Sequence, residues 1–177
     1  MKIYSVILIY ILAYSLYGDL AKECEYKGST LQKQGESIFT HYGFKVYQVA
    51  YYSLQAPQSF KDSNTDSISV LVLQYSRDLK RSDIIKNAQH ILEKNPDIDL
   101  SDHENKLDQL HRLYSNVNKG DRYKLAYHPN DGLELYLNNE LQGEPIIGYE
   151  FKKAYFSIWL SQDHSVSKSL TKKILNL

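Results

Sequence analysis

The stretch "ISVLVLQYS", residues 68–76, decides the fold. It is a continuous apolar run of strand length, rich in β-branched residues and bounded by polar ones, as expected of a central strand covered on both faces. Directly after it the period changes. Ile84, Ile85, Ala88, Ile91 and Leu92 recur at helical spacing, with Ser82 expected as the N-cap and Asn95-Pro96 as the stop. A buried strand feeding an amphipathic helix is the seed of a sheet with helices laid on it.

Upstream, residues 25–55 alternate and carry Gly28, Gly35 and Gly43, which predicts short strands joined by turns. The longest of them is "GFKVYQVAYYSL" (residues 43–54), in which Tyr47, Val49 and Tyr51 share one face by strand alternation. A loop, "APQSFKDSNTDS" (residues 56–67), separates it from the central run. Downstream, Ser101 and Glu104 have the spacing of a capping box, followed by a stripe of Leu107, Leu110, His111 and Tyr114. Beyond Gly120, two or three short strands are joined at Asn130-Asp131-Gly132 and Asn138-Asn139. Two helices close the chain: Phe151, Ala154, Tyr155 and Ile158 share a face in the first, and Leu170, Ile174 and Leu177 in the second. Strands with helices inserted and appended, and no βαβ rhythm, predict an α+β domain around an antiparallel sheet.

At 177 residues the chain has the length of one domain. Its 21 basic and 21 acidic residues cancel, so it lacks the field that gathers nucleic acid. Lys2, the apolar run of residues 3–17 and the small or polar residues from Gly18 onward have the layout of a secretory signal. The signal is expected to occupy residues 1–18, its end falling between 15 and 23, with the domain proper at 25–177 and a periplasmic location. Cys24, the only cysteine, has no lipobox before it and no partner for an intrachain disulfide.

The sequence has no Walker loop, no G-x-G-x-x-G, no G-x-S-x-G and no H-E-x-x-H, and no two of its six histidines stand at i, i+4 on one helix. No metal and no cofactor is expected. Glu134 and Glu140 flank a turn without forming a recognisable acid/base pair. The lysines of the closing helix, Lys168, Lys172 and Lys173, are not interleaved with aromatic anchors, so the tail reads as packing, with no stable membrane insertion once the signal is gone.

Three blocks carry a resemblance: "FKVYQVAYY" (44–52), "KGDRYKLAYHPNDGLELYLNNELQG" (119–143), and "FSIWL" (156–160) followed by "KSL" (168–170). In order and spacing they resemble the chalcone isomerase-like proteins of bacteria. The resemblance implies an open-faced β-sandwich, a large antiparallel sheet with helices layered on one face and a cleft between them. Enzymes of that family cyclise chalcones and hold the developing enolate with a guanidinium. The segment that would supply it here is "GESIFTHYG" (35–43), with Phe39 at about the matching place and no arginine before Arg77. The family's threonine falls on Tyr47 and its tyrosine near Arg81. The resemblance therefore implies a non-catalytic member with no catalytic residue, binding an apolar or amphipathic small molecule, fatty-acid-like, in the cleft. Tyr47, Val49, Tyr51, Arg81 and Tyr155 are the candidate ligand contacts. Two other readings stay open: an isomerase or lyase with a site rearranged around Tyr47 and Arg81, and an envelope interaction module using a tyrosine-rich surface. Oligomeric state is not legible.

Overall fold

The computed structural model describes residues 20–177; the expected signal lies outside them. Seven strands form one antiparallel sheet in sequence order: β1 (Glu23–Tyr26), β2 (Ser29–His41), β3 (Phe44–Ser53), β4 (Ser69–Tyr75), β5 (Arg122–His128), β6 (Gly132–Leu137) and β7 (Glu140–Leu141). Between β3 and β4 lies a single turn of helix, α1 (Phe60–Ser63); between β4 and β5 lie α2 (Arg81–Glu93), a 3-10 turn (Leu100–His103) and α3 (Glu104–Leu113). The chain closes with α4 (Tyr149–Leu160) and α5 (Lys168–Leu175). Helices pack on one face of a curled sheet, which is the α+β architecture the strand and helix periods predict.

The central stretch behaves as its composition dictates. In β4, Val70, Leu71, Val72 and Leu73 are all buried, the odd and even positions serving opposite faces. Alternation in β3 sends Tyr47, Val49 and Tyr51 into the core under the helices, and Ala50 and Tyr52 into a smaller core on the other side. That second core exists because the sheet curls. The end of β1 reaches β6 across the sheet, where Tyr26 donates to Glu134 (3.0 Å) and Lys27 pairs with both Glu134 (2.8 Å) and Asp131 (2.9 Å).

Local details depart from expectation where tertiary contacts decide them. Gly35 is no turn; it stands inside β2, where a Cβ would run into the Lys173 carbonyl, so it is the point at which α5 crosses the strand. Ser82 does not cap α2, which begins one residue earlier, behind Lys80 with no side-chain cap. Residue 99 takes the role given to Ser101: the Asp99 carboxylate accepts from the Ser101 backbone N–H (3.0 Å) and opens the 3-10 turn, and α3 starts only at Glu104. Leu177 lies past the end of α5, exposed. The hairpin turns follow their residues: Asn138 and Asn139 both take positive φ, the conformation a two-residue turn between β6 and β7 demands.

Candidate functional site

α4 is buried almost all round, because the sheet lies beneath it and α2, α5 and the 56–67 loop border it. Positions 152, 156 and 159 follow i, i+4, i+7 and so share one stripe about 10 Å long at 1.5 Å per residue. The two ends of that stripe differ in chemistry.

At the Trp159 end the polar groups are neutral. The indole N–H donates to the Tyr47 hydroxyl (3.1 Å), and Phe39 stacks on the Tyr47 ring at 5.1 Å. The Tyr155 and Tyr114 hydroxyls share a hydrogen bond of 3.0 Å. Tyr123 accepts from the Ser115 N–H (2.7 Å), and Tyr75 meets the rings of Tyr47 and Tyr123 edge-on at 5.9 and 6.0 Å. Burial first, and the neighbouring hydroxyls second, push the Tyr75 hydroxyl well above its ordinary pKa, so it stays neutral. His111 borders this cluster, 6.3 Å from the Tyr155 ring; its Nε2 has no partner among the described residues, and burial holds its pKa below the usual value.

The other end holds a cation. Lys152 is 0% exposed. Its Nζ donates to the Thr65 carbonyl (2.8 Å) and lies 5.0, 5.2 and 5.9 Å from the ring centres of Phe156, Tyr127 and Tyr149. It forms no ion pair among the described residues. Burial pushes its pKa down to about 7, and Asp66, held by the Tyr127 hydroxyl at 2.6 Å, offsets that only in part. A lysine so placed is costly to keep, which makes it a functional candidate on physical grounds.

The loop over Lys152 is tied down by side chains. Tyr51 donates to the Ser63 carbonyl (2.7 Å), Tyr149 to the Asn64 carbonyl (3.0 Å), and the Asn64 amide to the Lys153 carbonyl (2.8 Å). Burial raises the Tyr51 hydroxyl to about 12. Outside this cover runs a groove of about 690 Å³ between the loop, the 95–103 segment and α4, with Thr65, Tyr149 and Ser157 in its wall. Thr65 and Tyr149 thus face the groove on one side and Lys152 on the other.

Of the residues chosen from sequence, Tyr47, Val49, Tyr51 and Tyr155 all lie in the layer between sheet and helices. Tyr51 stands at the Lys152 end, Tyr47 and Tyr155 at the other. Arg81 lies outside that layer, exposed in the first turn of α2, its guanidinium donating to the His111 carbonyl (2.7 Å). Its charge still reaches inward, helping to lower the pKa of His111. Sequence reasoning missed Lys152. The signal was its spacing from Phe156 and Trp159, hidden beside the exposed Lys153. Glu134, unpaired in the sequence reading, proves buried with three partners, Tyr26, Lys27 and Tyr136, on the opposite face of the sheet.

The profile of one protein family, described as chalcone isomerase-like, matches residues 18–176. Among solved structures, the chain is similar to a fatty-acid binding protein of Arabidopsis thaliana, with a TM-score of 0.64 at 12% identity over 87% of this chain and 96% of that one. No curated protein matches the sequence.

Proposed function

Because the chain belongs to the chalcone isomerase-like family, we propose that it is an exported, non-catalytic carrier that binds an amphipathic carboxylate, such as a long-chain fatty acid, between sheet and α4. The observation that carries this reading is Lys152: a buried ammonium with one backbone carbonyl and three aromatic rings around it lacks only an anion. The carboxylate docks there from the groove once the 63–66 segment lifts. The apolar tail runs along the stripe past Val49 and Tyr51 toward Tyr47 and Tyr155, with Arg81 at the far rim. The Arabidopsis protein of similar fold, itself a fatty-acid binding protein, supports the ligand class. Export is supported by Lys2 and the apolar run of residues 3–17. Cyclisation of chalcones above the spontaneous rate is not expected, since Phe39 and its stack on Tyr47 stand about where the resemblance puts the catalytic guanidinium.

Oleate is the probe. At a hundredfold excess over its Kd it stabilises the folded protein by about 2.7 kcal/mol, a rise of several degrees in Tm. Titration near pH 7.5 in buffers of different ionisation enthalpy should show proton uptake, because a carboxylate beside Lys152 raises its pKa. Lys152→Met should remove both effects. The close packing of the tyrosine-rich layer favours a second reading, an interaction module with a filled interior. No shift with oleate or any saturated chain length would move that reading into first place.

A further inference from the structure

The β2–β3 hairpin is longer than the sheet it belongs to. β3 pairs with β4 only from Tyr47 onward, and β1 pairs with β2 only as far as Gln32, so residues 40–45 project past both neighbours. Tyr42 and Gly43 make the turn, both at positive φ, and the end they form is aromatic: Tyr42 is 89% and Phe44 66% exposed, with Ile38 at 44% behind them. Tyr42 meets the neighbouring His41 ring edge-on at 4.3 Å, but aromatic side chains this exposed on a projecting tip add little to the fold.

α5 lies beside the same hairpin. Phe39, His41, Val166, Leu170 and Lys173 line one shallow groove, which places the first turns of the helix next to the tip. The helix buries Leu170, Thr171, Ile174 and Leu175 and leaves Lys168, Lys172 and Lys173 outside. With Lys45 these make four exposed lysines, of which Lys168 pairs with Asp163 (2.9 Å) and no ion pair is formed by the other three among the described residues. The chain as a whole has no net charge, so this corner is basic at the expense of the rest. An aromatic wedge flanked by lysines complements an interface of apolar chains under anionic headgroups.

We infer that the hairpin tip and the outer face of α5 form a docking surface for an anionic lipid bilayer, with Tyr42 and Phe44 dipping to headgroup depth and Lys45, Lys168, Lys172 and Lys173 lying on the charged surface. The contact is peripheral. Among the described residues no helix is long and apolar enough to cross a membrane.

The test is sedimentation of the full chain with vesicles of phosphatidylcholine containing 30% phosphatidylglycerol, against phosphatidylcholine alone. Binding should favour the anionic vesicles and weaken as salt rises. The triple change Lys168→Gln, Lys172→Gln, Lys173→Gln should lower the partition coefficient about 100-fold at ~5-fold per lysine, and Tyr42→Ser with Phe44→Ser at least ~10-fold. All these side chains are exposed, so unchanged melting temperatures should accompany the losses. Tyr42→Trp gives a local readout: its emission should shift blue on anionic vesicles and be quenched by brominated acyl chains. Three results overturn the proposal: variants that bind as well as the wild type, which would assign binding to the apolar N-terminus; emission from the introduced indole that vesicles do not change; or a blue shift that grows with protein concentration without lipid, which would assign the tip to a second copy of the chain.

Discussion

The two ends of the stripe beneath α4 solve the same problem in opposite ways. At the Trp159 end, most polar atoms are buried as neutral groups paired inside the protein, indole with Tyr47, Tyr155 with Tyr114, Tyr123 with the Ser115 backbone, and the Nε2 of His111 at the border is the exception. Each satisfied hydrogen bond contributes on the order of 1 kcal/mol, and the rings add packing. At the Lys152 end a charge is buried with only a carbonyl and the faces of rings. One end holds the fold together, while the other costs the fold stability and offers an anion a place. What separates structure from function here is therefore whether the buried polar group carries a charge that no opposite charge inside the protein answers.

The largest effect should come from breaking the paired end. Trp159→Ala removes a buried indole together with the donor to Tyr47, and should cost ~3–5 kcal/mol through lost transfer energy and the cavity left behind. Urea unfolding monitored by circular dichroism reads it. A variant that unfolds with the wild type but no longer responds to oleate would place Trp159 in the ligand site and erase the distinction between the ends.

Lys152→Met should move stability the other way. Replacing an unpaired buried cation by an apolar side chain of similar length removes its desolvation cost, and a gain of the order seen when buried ion pairs are replaced by apolar side chains, up to ~1–4 kcal/mol, is expected. A more stable protein that has lost its ligand would be the signature of a site kept at the expense of the fold. A substantial loss of stability would instead show that the lysine's single hydrogen bond to Thr65 anchors the loop.

The same asymmetry should appear in the pH dependence of unfolding. The folded pKa of Lys152, about 7, lies below the ordinary 10.5, so between those values the unfolded chain binds more protons and stability rises with pH. The gain from pH 7 to pH 9 is about 2 kcal/mol, and it should vanish in Lys152→Met. The tyrosines at the other end act with reversed sign. Their folded pKa values are raised, Tyr75 and Tyr114 most of all, so above the ordinary 10 the unfolded chain loses protons first and stability falls. Chemical denaturation across pH 6–11 should trace a maximum near pH 10. A flat profile would mean that Lys152 reaches water.

How much of this could be read in the sequence follows from the range of each interaction. The central strand, the alternation of Tyr47, Val49 and Tyr51 and the helical stripe of Leu107, Leu110 and His111 are encoded by neighbours in the chain, and periodicity exposes them, although Tyr114, expected on that stripe, lies just past the end of α3 in extended backbone. Gly35 was misread because the reason for it, α5, lies about 140 residues on. Lys152 was missed for the same reason: what covers it is Thr65, 87 residues away. An adjacent lysine pair also looks like solvated surface until a helix turns one member inward. The curl that brings Tyr26 to Glu134 left no local trace at all.

The smallest effect should belong to Arg81, and it sharpens the comparison most because the two cations compete for one role. Arg81 is exposed and stands in the first turn of α2, where the helix dipole disfavours a positive charge. In its favour, the guanidinium donates to the His111 carbonyl near the end of α3, where a cation is welcome. The two contributions oppose each other, and water screens both, so Arg81→Gln should change stability by less than about 1 kcal/mol. Its effect on oleate should be equally slight if the carboxylate rests on Lys152, since Arg81 lies beyond the opposite end of the stripe. Arg81→Gln and Lys152→Met should therefore be compared at one pH by the oleate-induced shift in Tm, each against its own ligand-free protein. Loss of the shift in Arg81→Gln alone would reverse the ligand in its layer, head toward Tyr123 and tail toward Lys152, and would leave the buried lysine with no function to account for its cost.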